Sequence, residues 1–245
     1  MSGRLPDHDV PLPVNYQDWE HLTFLHWRYD PATVQPLVPA GLTVQQWGGA
    51  ALVGISPFRM ARVRVPGLPP PPGWGAFPEL NVRAYVRAPD GRDGIWFLGM
   101  VVPGPAFALG LRALGLPYVR SRSAVEIDGA RWRYRFGTPR WLGPPRDAWF
   151  VAETQVGQPL TVAERTPMLE SVTGRWSAFH RRAGIVWRTP VLHEPWPLHH
   201  AAVTGDLTAP LTWAGLPPPD GHPLAHASPG VHSDFGPPRP AGTRG

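Results

Sequence analysis

The stretch Phe77–Arg87, FPELNVRAYVR, decides how the rest of the chain is read. As extended chain, its side chains alternate between two faces. Leu80, Val82, Ala84 and Val86 share one face and are all apolar; Glu79, Asn81, Arg83, Tyr85 and Arg87 share the other and are polar or amphipathic. The Pro/Gly-rich VPGLPPPPGWGAFP leads in and PDGRDG leads out, so the strand has marked ends. The polar face has two readings. The simpler is the solvated side of an antiparallel strand. The sharper is the wall of a cavity in which Glu79, Asn81 and Arg83 do chemistry.

The composition favours strands and turns. With 42% hydrophobic residues and 12 Trp among 245 residues, the chain can bury a sizeable core, while 34 Pro and 27 Gly are too many for a helical bundle. Residues 1–13 and 217–245 are rich in Pro, Gly and His and poor in large apolar side chains. They read as poorly ordered tails around a single domain spanning 14–216. The absence of Cys excludes disulfides, zinc–thiolate sites and thiol nucleophiles. All 23 basic residues are Arg, so no side chain carries an amine that could form an imine with a carbonyl substrate. The opening MSGRLPDHDV lacks the apolar core of a signal peptide, and the most apolar region, 95–119, is interrupted by Pro103, Pro105, Arg112 and Pro117. A soluble cytoplasmic protein without a membrane partner is expected.

Outward from the central stretch, residues 19–28 (WEHLTFLHWR) read as a strand, followed by Asp30-Pro31 as the cap and first turn of a short helix through Val38. Strands over 42–47 and 50–65 flank a Gly48-Gly49 turn. Residues 95–102 form a nearly all-apolar strand buried on both faces, and 105–114 a short helix. Residues 118–128 and 131–136 read as a hairpin turning at Asp128-Gly129. One face of that hairpin carries Val119, Val125, Ile127, Trp132, Tyr134 and Phe136; the other carries Tyr118, Arg120, Arg122, Glu126, Arg131, Arg133 and Arg135. Such a basic face is either solvated or meets an anion. Further strands over 149–156 and 185–192, with a helix over 167–176 capped by Thr166, bring the total to nine or ten strands. Closely spaced strands joined mostly by hairpins imply a mainly β, single closed antiparallel barrel or a barrel-like sandwich.

Motif chemistry is sparse. There is no G-x-S-x-G, P-loop or dinucleotide fingerprint, so no cofactor is expected. His193, His199 and His200 in HEPWPLHH lack a helical i, i+4 pair and are separated by two prolines, which argues against a metal site. His26 in FLHW reads as a satisfied core histidine or, alternatively, as a ligand contact. The Arg residues are spread along the chain with no aromatic-interleaved patch, so nucleic acid is not expected as a partner. A homo-oligomer is left open.

Several segments in order, WEHLTFLHWRYDPATVQPLVPAGL, GGAALVGISPFRM, FPELNVRAYV, IWFLGM, GLPY and HEPWPL, resemble the YqjF-like family of uncharacterised bacterial proteins within the acetoacetate-decarboxylase-like superfamily. The resemblance runs from about Trp19 to Leu198 and implies a closed, mainly antiparallel barrel with a central polar cavity. In the decarboxylases a Pro-Lys-Lys segment supplies the imine-forming lysine. RALGLPYVR looks like its counterpart here, with Pro117 kept and Tyr118 and Val119 where the lysines would stand. Glu79 resembles a cavity glutamate of that superfamily. The expected function is therefore binding of a small anionic or keto/enol-type molecule, held by Asn81, Arg83, Arg122 and His26, without Schiff-base decarboxylation. The alternative is a lysine-independent acid/base enzyme (isomerase, hydratase or lyase) with Glu79 and Tyr118 as catalytic groups and Arg83 assisting.

Overall fold

The computed structural model describes residues 3–69, 75–139 and 148–242. The lead-in prolines at 70–72 and the outermost tail residues, 1–2 and 243–245, lie outside the described residues. The N-terminal half runs β1 (Asn15–Tyr29), α1 (Pro31–Val34), β2 (Thr43–Val44), β3 (Gln46–Trp47), β4 (Ala50–Arg64), β5 (Phe77–Arg87), β6 (Asp93–Val102) and α2 (Pro105–Ala113). It continues through β7 (Tyr118–Arg120), β8 (Ser123–Asp128), β9 (Arg131–Gly137), β10 (Trp149–Pro159), α3 (Pro167–Thr173), β11 (Ser177–Arg182) and β12 (Ile185–His193). β13 (His199–Asp206), α4 (Ala209–Trp213), β14 (Leu224–Phe235) and β15 (Arg239–Pro240) complete it. The protein is mainly β, as the strand-and-turn composition implies.

Local chemistry sets the helix starts. The Asp30 carboxylate accepts from the Ala32 N–H, with Pro31 opening α1, and the Thr166 hydroxyl accepts from the Leu169 N–H, with Pro167 opening α3. Both caps stand where the sequence placed them.

All strands belong to one sheet, whose main path is β15-β12-β11-β6-β5-β4-β1-β14-β13-β10-β9-β8. β12 also pairs with β14 through Val191–Phe235, Leu192–Asp234 and His193–Ser233, so the path from β12 through β5 and β1 returns to β12. Pairing is antiparallel except that β6 pairs in parallel with β7 and with β11.

This path leaves β5 with no wet face. Its Leu80, Val82, Ala84 and Val86 pack with Leu25 and Trp27 of β1, Val53 and Ile55 of β4, and Trp132, Tyr134, Phe136 and Phe150 of the β9–β10 layer. Tyr85, on its other face, joins a second cluster with Leu22, Phe24, Phe58, Met60, Met100, Tyr118 and Trp196. Each fully buried large side chain contributes about 1.5–3 kcal/mol. The solvated-face reading of β5 is therefore overturned.

β6 serves both clusters because of a bulge. Gly99 opposes Val82 and Phe97 opposes Arg83, which leaves Leu98 as the extra residue. Side-chain parity switches there, so Trp96 and Leu98 face the first cluster while Phe97 and Met100 face the second.

Two expectations are corrected. The 217–245 tail is not poorly ordered along its length: Leu224–Phe235 is β14, paired with β1 from Asn15–Phe235 to His26–Leu224. Its small side chains make this possible, for Ala227 and Ser228 are fully buried. Gly230, at φ 138°, comes so close to Trp19 that an added Cβ would sit 2.2 Å from its carbonyl oxygen. Residues 3–13 carry no helix or strand, yet Val10 is buried and the Gly3 carbonyl accepts from the Trp176 indole. The hairpin also turns one residue later than read, at Gly129-Ala130, with Asp128 opposite Arg131 and Glu126 opposite Arg133. The assignment of side chains to faces survives this shift because the register changes by two residues, which keeps the parity.

The centrality of β14 is testable by truncation. A chain ending at residue 216 is expected to show no cooperative thermal transition by circular dichroism. An unchanged melting temperature would return this segment to the status of a tail.

Candidate functional site

The inner face of β5 and its neighbours builds a pocket of about 440 Å³. Register fixes its polar wall: Gly54 lies opposite Arg83, Ser56 opposite Asn81, and Phe58 opposite Glu79. On the other side Asn81 pairs with Met100, and Met100 with Tyr118. Two strand spacings thus bring Tyr118 to Glu79, where its hydroxyl donates to Glu79 Oε1 at 3.0 Å. Phe107 of α2 closes over this pair, edge-on to Tyr118 at 5.4 Å. Ser56, Glu79, Asn81, Arg83, Tyr118 and Arg175 all line the pocket, together with apolar side chains that include Trp19, Phe58, Met100 and Trp196.

Glu79 is 1% exposed. Burial disfavours its charged form and pushes its pKa up to about 8, against the opposing hydrogen bonds from Tyr118 and Asn81. At neutral pH it is therefore mostly a carboxylic acid. Its second oxygen, Oε2, has no partner among the described residues, and neither do Asn81 Oδ1 and Ser56 Oγ. Burial, followed by the neighbouring Glu79, keeps the Tyr118 phenol far above its ordinary pKa, so it remains a donor.

Two guanidinium groups share the pocket. Arg83, 7% exposed, lies over Phe24 at 5.1 Å and Tyr85 at 5.9 Å, with Nε and Nη2 unpartnered. Arg175, 3% exposed, donates to Gln45 Oε1 at 2.5 Å and Ser171 Oγ at 3.3 Å, and lies over Tyr85 at 4.9 Å; its Nε is unpartnered. Neither pairs with a carboxylate among the described residues. Burial, aided by Arg83, lowers the Arg175 pKa to about 10, which still leaves it charged at neutral pH. Cation–π contact with Tyr85 compensates only part of the cost of burying two cations.

The structure brings together four of the six residues singled out in the sequence: Glu79, Asn81, Arg83 and Tyr118. His26 lies behind them. It is fully enclosed, with Nε2 2.6 Å from the Tyr85 hydroxyl, and so supports the ring on which both guanidinium groups rest. Gly54 permits this packing, since an added Cβ would stand 2.7 Å from the Tyr85 hydroxyl. Burial, then Arg83, holds His26 well below its ordinary pKa, in the neutral form.

Arg122 does not join the site. Tyr118 faces inward, but Arg120 pairs with Val102, the last residue of β6, so the chain has passed the sheet's end and both Arg120 and Arg122 are exposed. The basic face of the β8–β9 hairpin is solvated in the same way. Arg175 supplies the second guanidinium instead. Nothing periodic marks it in VTGRW, because Gln45, Trp47 and Tyr85, all distant in sequence, join the nearby Ser171 around it. Of the three C-terminal histidines, His193 lines the pocket, while His200 meets Glu164 at 3.0 Å and His199 meets the Gly157 carbonyl on the exterior. No cluster of metal-ligating side chains occurs among the described residues.

The raised pKa of Glu79 predicts a pH-dependent stability with a definite sign. An acid that must stay protonated when folded stabilises fully below its unfolded pKa of about 4.5, and that advantage is lost as pH rises to about 8. At about 1.4 kcal/mol for each pH unit crossed, Glu79→Gln should gain roughly 4–5 kcal/mol over the wild type across that window. The buried histidines His26, His193 and His226 act in the opposite sense, but equally in both proteins. Denaturant unfolding of the pair at several pH values measures the difference; parallel curves would contradict the assignment.

Comparison with known proteins bears on the fold and the family. The chain is 27% identical over 231 residues to the uncharacterized protein YqjF of Bacillus subtilis (strain 168), covering 92% of this chain and 93% of that one. Among solved structures it resembles an acetoacetate decarboxylase-like enzyme from Sphingomonas wittichii RW1, with a TM-score of 0.62, 13% identity, and 96% and 95% of the two chains covered. It also resembles the acetoacetate decarboxylase of Legionella pneumophila, with a TM-score of 0.60, 15% identity, and 96% and 94% covered. The enduracididine biosynthesis enzyme MppR, solved with pyruvate, has a TM-score of 0.61 at 14% identity, with 96% and 93% covered. These identities carry the fold, which is acetoacetate-decarboxylase-like, and not the chemistry. The DUF2071 sequence model, that of an uncharacterized conserved protein, matches residues 16–232, from the first residues of β1 to within β14, and the chain belongs to that family.

Proposed function

We propose that this protein binds a small anionic or keto/enol-type molecule in a polar cavity at the centre of a closed barrel. The observation that carries the reading is the pair Arg83 and Arg175: two buried guanidinium groups in one pocket with unpartnered N–H donors and no carboxylate against them among the described residues. A carboxylate or enolate placed between them offsets their burial through charge-assisted hydrogen bonds. Asn81 and Ser56 offer further polar contacts, and protonated Glu79 donates rather than repels.

Binding proceeds without an imine to a lysine, since the sequence has none and Tyr118 occupies the position facing the pocket. A cytoplasmic location and a role without nucleic acid fit this reading, as does a homo-oligomer; no helix among the described residues is long and apolar enough to cross a membrane.

A second reading rests on one specific observation. Glu79 has a pKa of about 8 and an unpartnered Oε2 in the pocket. A carboxyl group poised near neutral pH can deliver a proton to a bound enolate or take one back, with Tyr118 holding Oε1. That would make the site a lysine-independent isomerase, hydratase or lyase.

A thermal-shift screen of small carboxylates and keto acids tests binding. Stabilisation by at least one of them is expected, with Arg83→Gln and Arg175→Gln each weakening affinity by about 1.5–3 kcal/mol. Stabilisation by none, or equal stabilisation of both variants, would refute the anion site. Proton exchange at the carbon next to the ligand carbonyl, followed in heavy water by NMR, separates the two readings: exchange lost in Glu79→Gln with binding intact makes the protein an enzyme, and no exchange in the wild type leaves it a binder.

A further inference from the structure

Beyond its buried polar groups, the pocket has a lining that points to the rest of the ligand. Glu79, Asn81, Arg83, Tyr118 and Ser56 all project from β4, β5 and β7, with Arg175 reaching in beside them. Between β5 and β7, and beyond them, β6, α2 and the turn after α2 contribute Phe97, Met100, Leu111, Leu114 and Leu116. This apolar patch is held in place by its own backbone: Leu116 N–H bonds to the Leu111 carbonyl, and Met100 N–H bonds to the Pro117 carbonyl. Leu111 and Leu116 pack on the inner core, whereas Leu114 is 45% exposed, at the solvent side of the pocket.

Size and polarity together constrain the ligand. A pocket of about 440 Å³ lies in the range of about 300–1,000 Å³ that accommodates drug-sized molecules, far more than a three- or four-carbon acid fills. A short keto acid seated on Arg83 and Arg175 would leave the leucines facing trapped water. Apolar walls gain most when an apolar group replaces that water.

We infer that the ligand is a carboxylate or 2-keto acid with a sizeable apolar tail, aromatic or of medium chain length, its head on the Arg83–Arg175 pair and its tail along Leu111, Leu114 and Leu116. This rests on the anion-binding reading above and adds the tail. The Leu114 end is where the tail approaches solvent, so tail length rather than head chemistry sets specificity.

The test is a series with a constant head and a growing tail, measured by calorimetry on the full chain: pyruvate, 2-oxobutyrate, 2-oxohexanoate, 2-oxooctanoate and phenylpyruvate. At least tenfold tighter binding of 2-oxooctanoate or phenylpyruvate than of pyruvate is expected. Leu111→Ser and Leu114→Ser should flatten the series while leaving pyruvate affinity within about twofold; Leu114→Ser, on an exposed position, serves if Leu111→Ser does not fold. Equal affinity along the series, or an undiminished series in both variants, overturns the tail and leaves the anion site standing. Binding of octanamide or 1-octanol as tight as that of 2-oxooctanoate overturns the anionic head. Failure of every acid to bind overturns both.

Discussion

Burial of β5 on both faces is the constraint on which the rest of the structure depends. A strand with Glu, Asn and Arg on one side is ordinarily left half wet, because ionisable groups lose hydration when enclosed. Here the path of the sheet returns to its start through β12 and β14, and the polar side has nowhere to go but inward. Hydrogen bonds and stacking partly repay the cost: Tyr118 and Asn81 on Glu79, Tyr85 and Phe24 under Arg83, Gln45 and Ser171 on Arg175. What is not repaid within the chain, the unpartnered N–H groups and the free Glu79 oxygen, is what a ligand would meet.

That arrangement also explains the supporting cast. Tyr85 underlies both guanidinium groups, His26 fixes Tyr85, and Gly54 leaves room for all three. The bulge at Leu98 turns Met100 inward, and Met100 sets Tyr118 at the height of Asn81, next to Glu79. Each belongs to the buried packing and also shapes the site. The solved structures that share the fold differ from this chain at most positions, so what they share with it is the frame.

Much of this was legible in the sequence. Period-two alternation in FPELNVRAYVR identifies both faces. Segment resemblance named the fold. The limits were also physical. β14 escaped notice because LAHASPGVHSDF looks like a tail; its interior position is served by Ala and Ser, which carry no apolar signal. Parity sets Arg122 on the face of Tyr118, but parity holds only while a strand stays in its sheet, and β7 leaves β6 at Arg120. Nothing local marks Arg175, because its burial joins two distant segments, 45–47 and Tyr85, to its own neighbouring helix α3. Alternation reveals which residues share a face, but not how far the sheet extends to cover it.

The claim at the centre of the account is that the polar face of β5 is sealed and that Glu79 therefore holds its proton at neutral pH. Titration of ¹³C-labelled glutamate carboxyl groups by NMR addresses it directly. The account predicts one resonance with a midpoint near 8, absent in Glu79→Gln and shifted when a carboxylate ligand is added. Glutamates that all titrate in the ordinary range near 4.5 would mean that β5 meets water, and would contradict it.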